Sequence, residues 1–153
     1  MSDKLIKMLT TWFYIGNSPF APGSMASIAG AVMAIVLMNN LFLYFVVLIA
    51  VTVVGLMISG RMEKIVNKKD PGCVVIDEIS GVMISYFLLP VDGNWNVIIA
   101  TFFLFRAFDM FKIWPVNKFE DIGGGTGIMM DDVMAGVYTN IIMQIAVRWA
   151  GII

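Results

Sequence analysis

Residues 41–58 read LFLYFVVLIAVTVVGLMI, 18 positions without a charge. As a helix rising ~1.5 Å per residue they cover roughly 27 Å, close to the hydrocarbon thickness of a bilayer. This stretch is predicted to be a transmembrane helix. Before it, residues 24–38 form a shorter apolar run, set apart by Asn39-Asn40, a pair that favours a tight turn over a continuous helix. Two antiparallel helices joined at that turn are expected. After it, residues 60–72 hold Arg61, Lys64, Lys68 and Lys69 against Glu63 and Asp70 and read as a polar, cytoplasmic loop. Three more apolar runs follow at 73–91, 96–114 and 133–153, the first closed by Pro90 and the turn-rich Asp92-Gly93-Asn94.

Composition agrees with a lipid solvent. The 153 residues are 59% hydrophobic and 14% charged, against about 45 to 50% and about a quarter in soluble domains. Too few polar side chains remain to cover a solvated globule. The expected fold is therefore all-α: an integral membrane bundle of about five transmembrane or membrane-embedded helices plus an N-terminal interfacial helix. Leu5, Met8, Leu9, Trp12 and Phe13 supply the apolar side of that interfacial helix. One domain over 1–153 is expected, with 1–23 as interfacial segment and loop and 24–153 as the bundle. Threading the chain from the basic loop puts the N-terminus, 60–72 and 116–132 inside, and the Lys- and Arg-free turns at 39–40 and 92–94 outside. The chain has no histidine and one cysteine, Cys73, which excludes zinc-finger spacing, a disulfide framework, a Ser-His-Asp triad and phosphohistidine chemistry. A net charge of −1 leaves no basic footprint for nucleic acid.

Charges inside apolar spans are expensive and need a shared reason. The topology supplies one. Asp77 and Glu78 fall near the start of the third run, Arg106, Asp109 and Lys112 at the end of the fourth, and Asp131 and Asp132 at the opening of the fifth. All seven land at the same membrane face. Carboxylates gathered beside Arg and Lys suit a hard divalent cation together with an anion, and an oxygen-only donor set suits Mg²⁺. Asp77, Glu78, Asp131 and Asp132 are the candidate ligands; Arg106 and Lys112 are the candidate anion partners, Arg106 as a bidentate fork. Taken singly, Asp131-Asp132 also reads as a helix N-cap pair and Arg106 with Asp109 as a buried ion pair. Two Gly- and Pro-containing segments share that face, 16–24 and 123–127. Each alone reads as a turn; together with the charges they offer Asn17, Ser18, Ser24 and Thr126 as further substrate-binding candidates.

Four blocks carry a family resemblance: NSPFAPGSMAS (17–27), VVIDEISG (74–81), FRAFDMFKIWP (105–115) and GGTGIMMDDVMAGV (124–137). In order and spacing the chain resembles the phosphatidylglycerophosphatase A family. The resemblance implies a Mg²⁺-dependent, multi-pass enzyme of the bacterial cell inner membrane. It implies hydrolysis of phosphatidylglycerol phosphate, a phospholipid substrate, to phosphatidylglycerol and inorganic phosphate at a site facing the cytoplasm. It places the family's functional residues on Asp77, Glu78, Arg106, Asp109, Lys112, Asp131 and Asp132, with Ser18, Pro19, Pro22, Gly23 and Ser24 in the first block. Water activated by the metal and direct attack by an aspartate both remain open as nucleophiles. The alternatives from other classes are a carboxylate-based ion-coupled transporter and another lipid phosphotransferase.

Overall fold

The uncharged run at 41–58 lies within one long helix, α3 (Leu41–Val66), and among the described residues this is the helix long and apolar enough to cross a membrane. The computed structural model describes residues 1–91, 93–111 and 123–149, in which there are six α-helices and no strand. The others are α1 (Asp3–Thr10), α2 (Pro22–Leu37), α4 (Ile76–Tyr86), α5 (Trp95–Phe111) and α6 (Gly124–Arg148). The Asn39-Asn40 turn forms as expected: Asn40 caps α3, its Oδ1 accepting from the Leu43 amide at 3.0 Å. Helix α1 is amphipathic and docks on α3 through Ile6, before Trp12, Phe13 and Tyr14 turn the chain with positive φ.

Several boundaries differ from those read in the sequence. Residues 60–66 continue α3 instead of opening a loop, because nothing breaks the helix until Asn67 takes a left-handed conformation at φ 53°. Helix α2 begins at Pro22, so Ser24 sits in the first turn and does not cap it. Helix α6 begins at Gly124, nine residues before the expected start, and takes in most of the glycine segment. The reason is a close helix crossing: a Cβ on Gly60 would press on the Gly125 amide at 2.7 Å, and one on Gly125 would press on the Leu56 carbonyl at 2.5 Å. Gly123 and Gly124, at φ 69° and 66°, let the chain enter α6 beside α3. Lys112, the end of the fourth run at 112–114 and the last four positions lie outside the described residues.

The largest departure is the third run. Only 11 of its residues are helical, spanning ~16 Å, so α4 is too short to cross a bilayer alone. It is enclosed instead by α2, α3, α5 and α6. Ile76, Ile79, Val82, Met83 and Tyr86 are buried on it, and the Tyr44 hydroxyl and the Thr52–Ser80 pair tie it to α3 at 2.6 and 2.7 Å. Beyond Tyr86 the chain is irregular, with Leu88 at φ 55°. Its freed carbonyls are taken up by a polar stripe on α6. Asn140 donates to Ser85 and Phe87 at 3.0 and 2.8 Å, Gln144 to Phe87 at 3.2 Å, and Arg148 to Leu88 at 2.6 Å. Non-helical backbone within an apolar bundle persists only when protein groups satisfy it in this way. Asn140→Leu is therefore expected to lower the unfolding free energy by about 1–3 kcal/mol, read as a lower Tm in detergent. An unchanged Tm would show that the Ser85 carbonyl does not depend on Asn140.

Candidate active site

Two glycines bring the acidic residues together. A Cβ on Gly81 of α4 would run into the Asp132 carbonyl at 2.5 Å, and a Cβ on Gly136 of α6 would overlap the Gly81 carbonyl. With no side chain at either position the two backbones touch. Asp77 and Asp132 each lie four residues before one of these glycines, one helical turn away on the same face. The crossing therefore sets one helix's acids against the other's. Asp77, Glu78 and Asp132 offer carboxylate oxygens that all lie within 4.8 Å of one another. Asp77 and Asp132 are buried, Glu78 half-buried, and Glu78 Oε2 has no hydrogen-bond partner among the described residues.

The pair Asp77-Glu78 does not diverge as adjacent helical residues would suggest. Both belong to the cluster, reaching it from the first turn of α4. Asp131 and Asp132 do separate. They lie two turns inside α6, so the N-cap reading is set aside. Asp131 lines a narrow pocket with Glu63, Lys69, Asp70 and Gly124, while its charge still acts on Asp77 and Asp132.

Helix α5 brings the cation. Arg106 Nη1 forms a close ion pair with Asp109 Oδ2, three residues on, with both side chains 18% exposed. The same nitrogen lies 3.4 Å from Ser27 Oγ, and Ser27 in turn donates to the Gly23 carbonyl at 2.8 Å. The Asp109 charge falls on both Glu78 and Asp132. A Cβ on Gly23 would overlap Glu78 Oε1 and stand 3.6 Å from Arg106 Nη1, so the first turn of α2 packs directly on Glu78 and the arginine.

The remaining candidates are placed as follows. Ser18 spends its hydroxyl on the Phe20 amide and carbonyl, shaping its own loop. Asn17 is exposed in a 3₁₀ turn (Ile15–Asn17), Ser24 is half-buried in the first turn of α2, and Thr126 is exposed in the first turn of α6. The 16–24 loop is held near the start of α4: a side chain on Gly16 would overlap the Cys73 carbonyl, and the Val75 amide donates to the Thr10 carbonyl at 2.9 Å. Ser27, Gly81 and Gly136 complete the site and were not singled out from sequence. The available signal was that they stand inside the motif blocks, the two glycines four residues after an aspartate.

A cluster of carboxylates with one arginine at its edge can hold a divalent cation and a phosphate together. The family model described as Phosphatidylglycerophosphatase A matches residues 8–147. A Bacteroides thetaiotaomicron protein named "Putative phosphatidylinositol-3-phosphatase" is 37% identical, covering 93% of this chain and 92% of its own. Proteins named phosphatidylglycerophosphatase A from Escherichia coli and Haemophilus influenzae are 36% and 32% identical, over 93% and 94% of this chain and 84% and 90% of theirs. No solved structure gives a significant match. With the family model spanning nearly its whole length and these relatives alike from end to end, the chain belongs to the phosphatidylglycerophosphatase A family.

Proposed function

We propose that this protein hydrolyses the terminal phosphate of phosphatidylglycerol phosphate, giving phosphatidylglycerol and inorganic phosphate, as a Mg²⁺-dependent, multi-pass enzyme of the cell inner membrane with its site facing the cytoplasm. The observation that carries the reading is the close Asp77–Glu78–Asp132 group, its two aspartates buried, with Arg106 at its rim. These residues fit a hard cation. Their donors are all oxygen, their mutual repulsion in an apolar interior calls for positive charge, and Glu78 Oε2 is left with no other described partner. When bound, Mg²⁺ supplies Lewis-acid polarisation of a phosphoryl oxygen and charge neutralisation.

The chain's own groups account for the rest. Arg106 presents its guanidinium to the phosphoryl oxygens, and Asp109 fixes its orientation through the ion pair. The first turn of α2 packs beside it at Gly23. The carboxylates then orient the nucleophile, a water or one of the aspartates themselves, opposite the ester oxygen that leaves with the lipid. Lys112 is assigned to the same phosphate from its place in the third motif.

Membrane insertion of the whole 1–153 domain is supported by what faces outward. Ile28, Val32, Phe42, Phe45, Phe103 and Ile145, on four different helices, are large apolar side chains left exposed. A surface of that kind is stable in lipid and aggregates in water. The acids and Arg106 sit together at one end of the bundle, toward the end of α3 that carries Arg61 and Lys64, consistent with a cytoplasmic site.

The test is phosphate release by the purified chain from phosphatidylglycerol phosphate, before and after chelation, with phosphatidylinositol 3-phosphate as competitor. Release that stops on chelation and returns with Mg²⁺ is expected. Metal-independent release would remove the cation from the site, and preference for the inositol lipid would replace the head group. No release of any kind would overturn the phosphatase reading.

A further inference from the structure

Between α2 and α5 an open groove of about 220 Å³ runs along the outside of the bundle. Ile28, Ala31 and Ile35 line one side, and Trp95, Ile99 and Phe103 the other. Ala31 places only a methyl group where a longer side chain would fill the space. The floor is Tyr86, whose hydroxyl donates to the Ile98 carbonyl at 2.6 Å, so the exposed lining is hydrocarbon throughout.

The end of the groove nearest the acidic site is formed by Ile28 and Phe103. Ile28 follows Ser27, which lies 3.4 Å from Arg106, and Phe103 precedes Arg106 by one helical turn on the same face. Helix α2 starts at the site and α5 ends there, so the two run antiparallel and the groove leads from Arg106 toward Ile35 and Trp95. A second apolar hollow, beside Phe45, Ile49 and Val53, lies on α3 alone and has no charged group at its end.

We propose that the α2–α5 groove is the subsite for one acyl chain of the phosphomonoester lipid, holding the tail while Arg106 holds the phosphate. The assignment rests on the phosphatase reading above and adds a chain-length preference to it. An apolar groove whose lining ends at Phe103, one helical turn from an arginine assigned to the phosphate, matches the layout of a phospholipid, in which the charged ester and the hydrocarbon are joined end to end.

The experiment uses the full chain in detergent and measures phosphate release from dipalmitoyl and dihexanoyl phosphatidylglycerol phosphate. Ala31→Phe fills the groove from its α2 side, and Ile99→Trp, at a half-exposed position, narrows it without disturbing the core. Each is expected to raise KM for the dipalmitoyl ester by about tenfold, the scale on which apolar pockets discriminate, with kcat and the dihexanoyl reaction within about twofold of wild type. Ile49→Trp on α3 should leave both substrates unaffected. If Ala31→Phe fails to fold, Ile99→Trp carries the same readout. Groove variants with an unchanged ratio of the two KM values, or an Ile49→Trp effect equal to theirs, would overturn the subsite while leaving the phosphatase reading intact. A wild-type chain inactive on both esters would overturn the phosphatase reading and the subsite with it.

Discussion

Asp132→Asn should reduce phosphate release by about 10³-fold or more, the scale expected when a group stabilising transition-state charge is lost from a dry site. The protein should remain folded. Asp132 sits at the α4–α6 crossing with Asp77 and Glu78 facing it, so a neutral amide of the same size removes a repulsive charge without opening a cavity. Its Tm without metal should equal or exceed that of the wild type, whereas added Mg²⁺ should raise the wild-type Tm and not the variant's. Asp131→Asn is the informative partner. Asp131 lies outside the close group and lines the pocket beside Glu63 and Lys69, so a loss nearer tenfold is expected, the range for groups that support metal ligands from behind. Equal losses for the two variants would place Asp131 within the cation site. Full activity for Asp132→Asn would remove Asp132 from it.

The second large effect concerns Arg106. Arg106→Lys keeps the charge but replaces a planar fork with a point charge, and a loss of about 10²-fold in kcat/KM is expected. The geometry makes the site intolerant of that exchange. One guanidinium engages Asp109 and approaches Ser27 while leaving further donors for a phosphate, and an ammonium offers no such fixed array. Asp109→Asn should weaken the same function by loosening the arginine, with a smaller loss and a fold left intact. Phosphate-release kinetics on all three purified chains decide the matter. Arg106→Lys with wild-type turnover would show that the arginine serves only to pin α5 to α2.

Asp77, Glu78, Arg106, Asp109 and Asp132, which the fold brings together, stood out in the sequence because charges in apolar runs have few reasons to exist. The packing that unites them was less legible. Gly81 and Gly136 look like any other glycines in a helix until the partner backbone is seen against them. Ser27 reads as one more small residue in α2, yet it bridges Gly23 and Arg106. Asn140, Gln144 and Arg148 read as isolated polar positions near a helix end, because the carbonyls that they satisfy lie more than 50 residues earlier in the chain.

From sequence alone came the helical class, the uncharged helix at 41–58, the Asn39-Asn40 turn, and the family through its four ordered blocks. Each depends on neighbours along the chain: hydropathy summed over a window, local turn chemistry, or motif spacing. Only the tertiary structure decided that the third apolar run is a short central helix, that the glycine segment opens α6, and that Asp132, more than Asp131, closes on Asp77 and Glu78. Those outcomes turn on whether two backbones meet without a Cβ between them, a condition set by distance in space between residues that are remote in sequence.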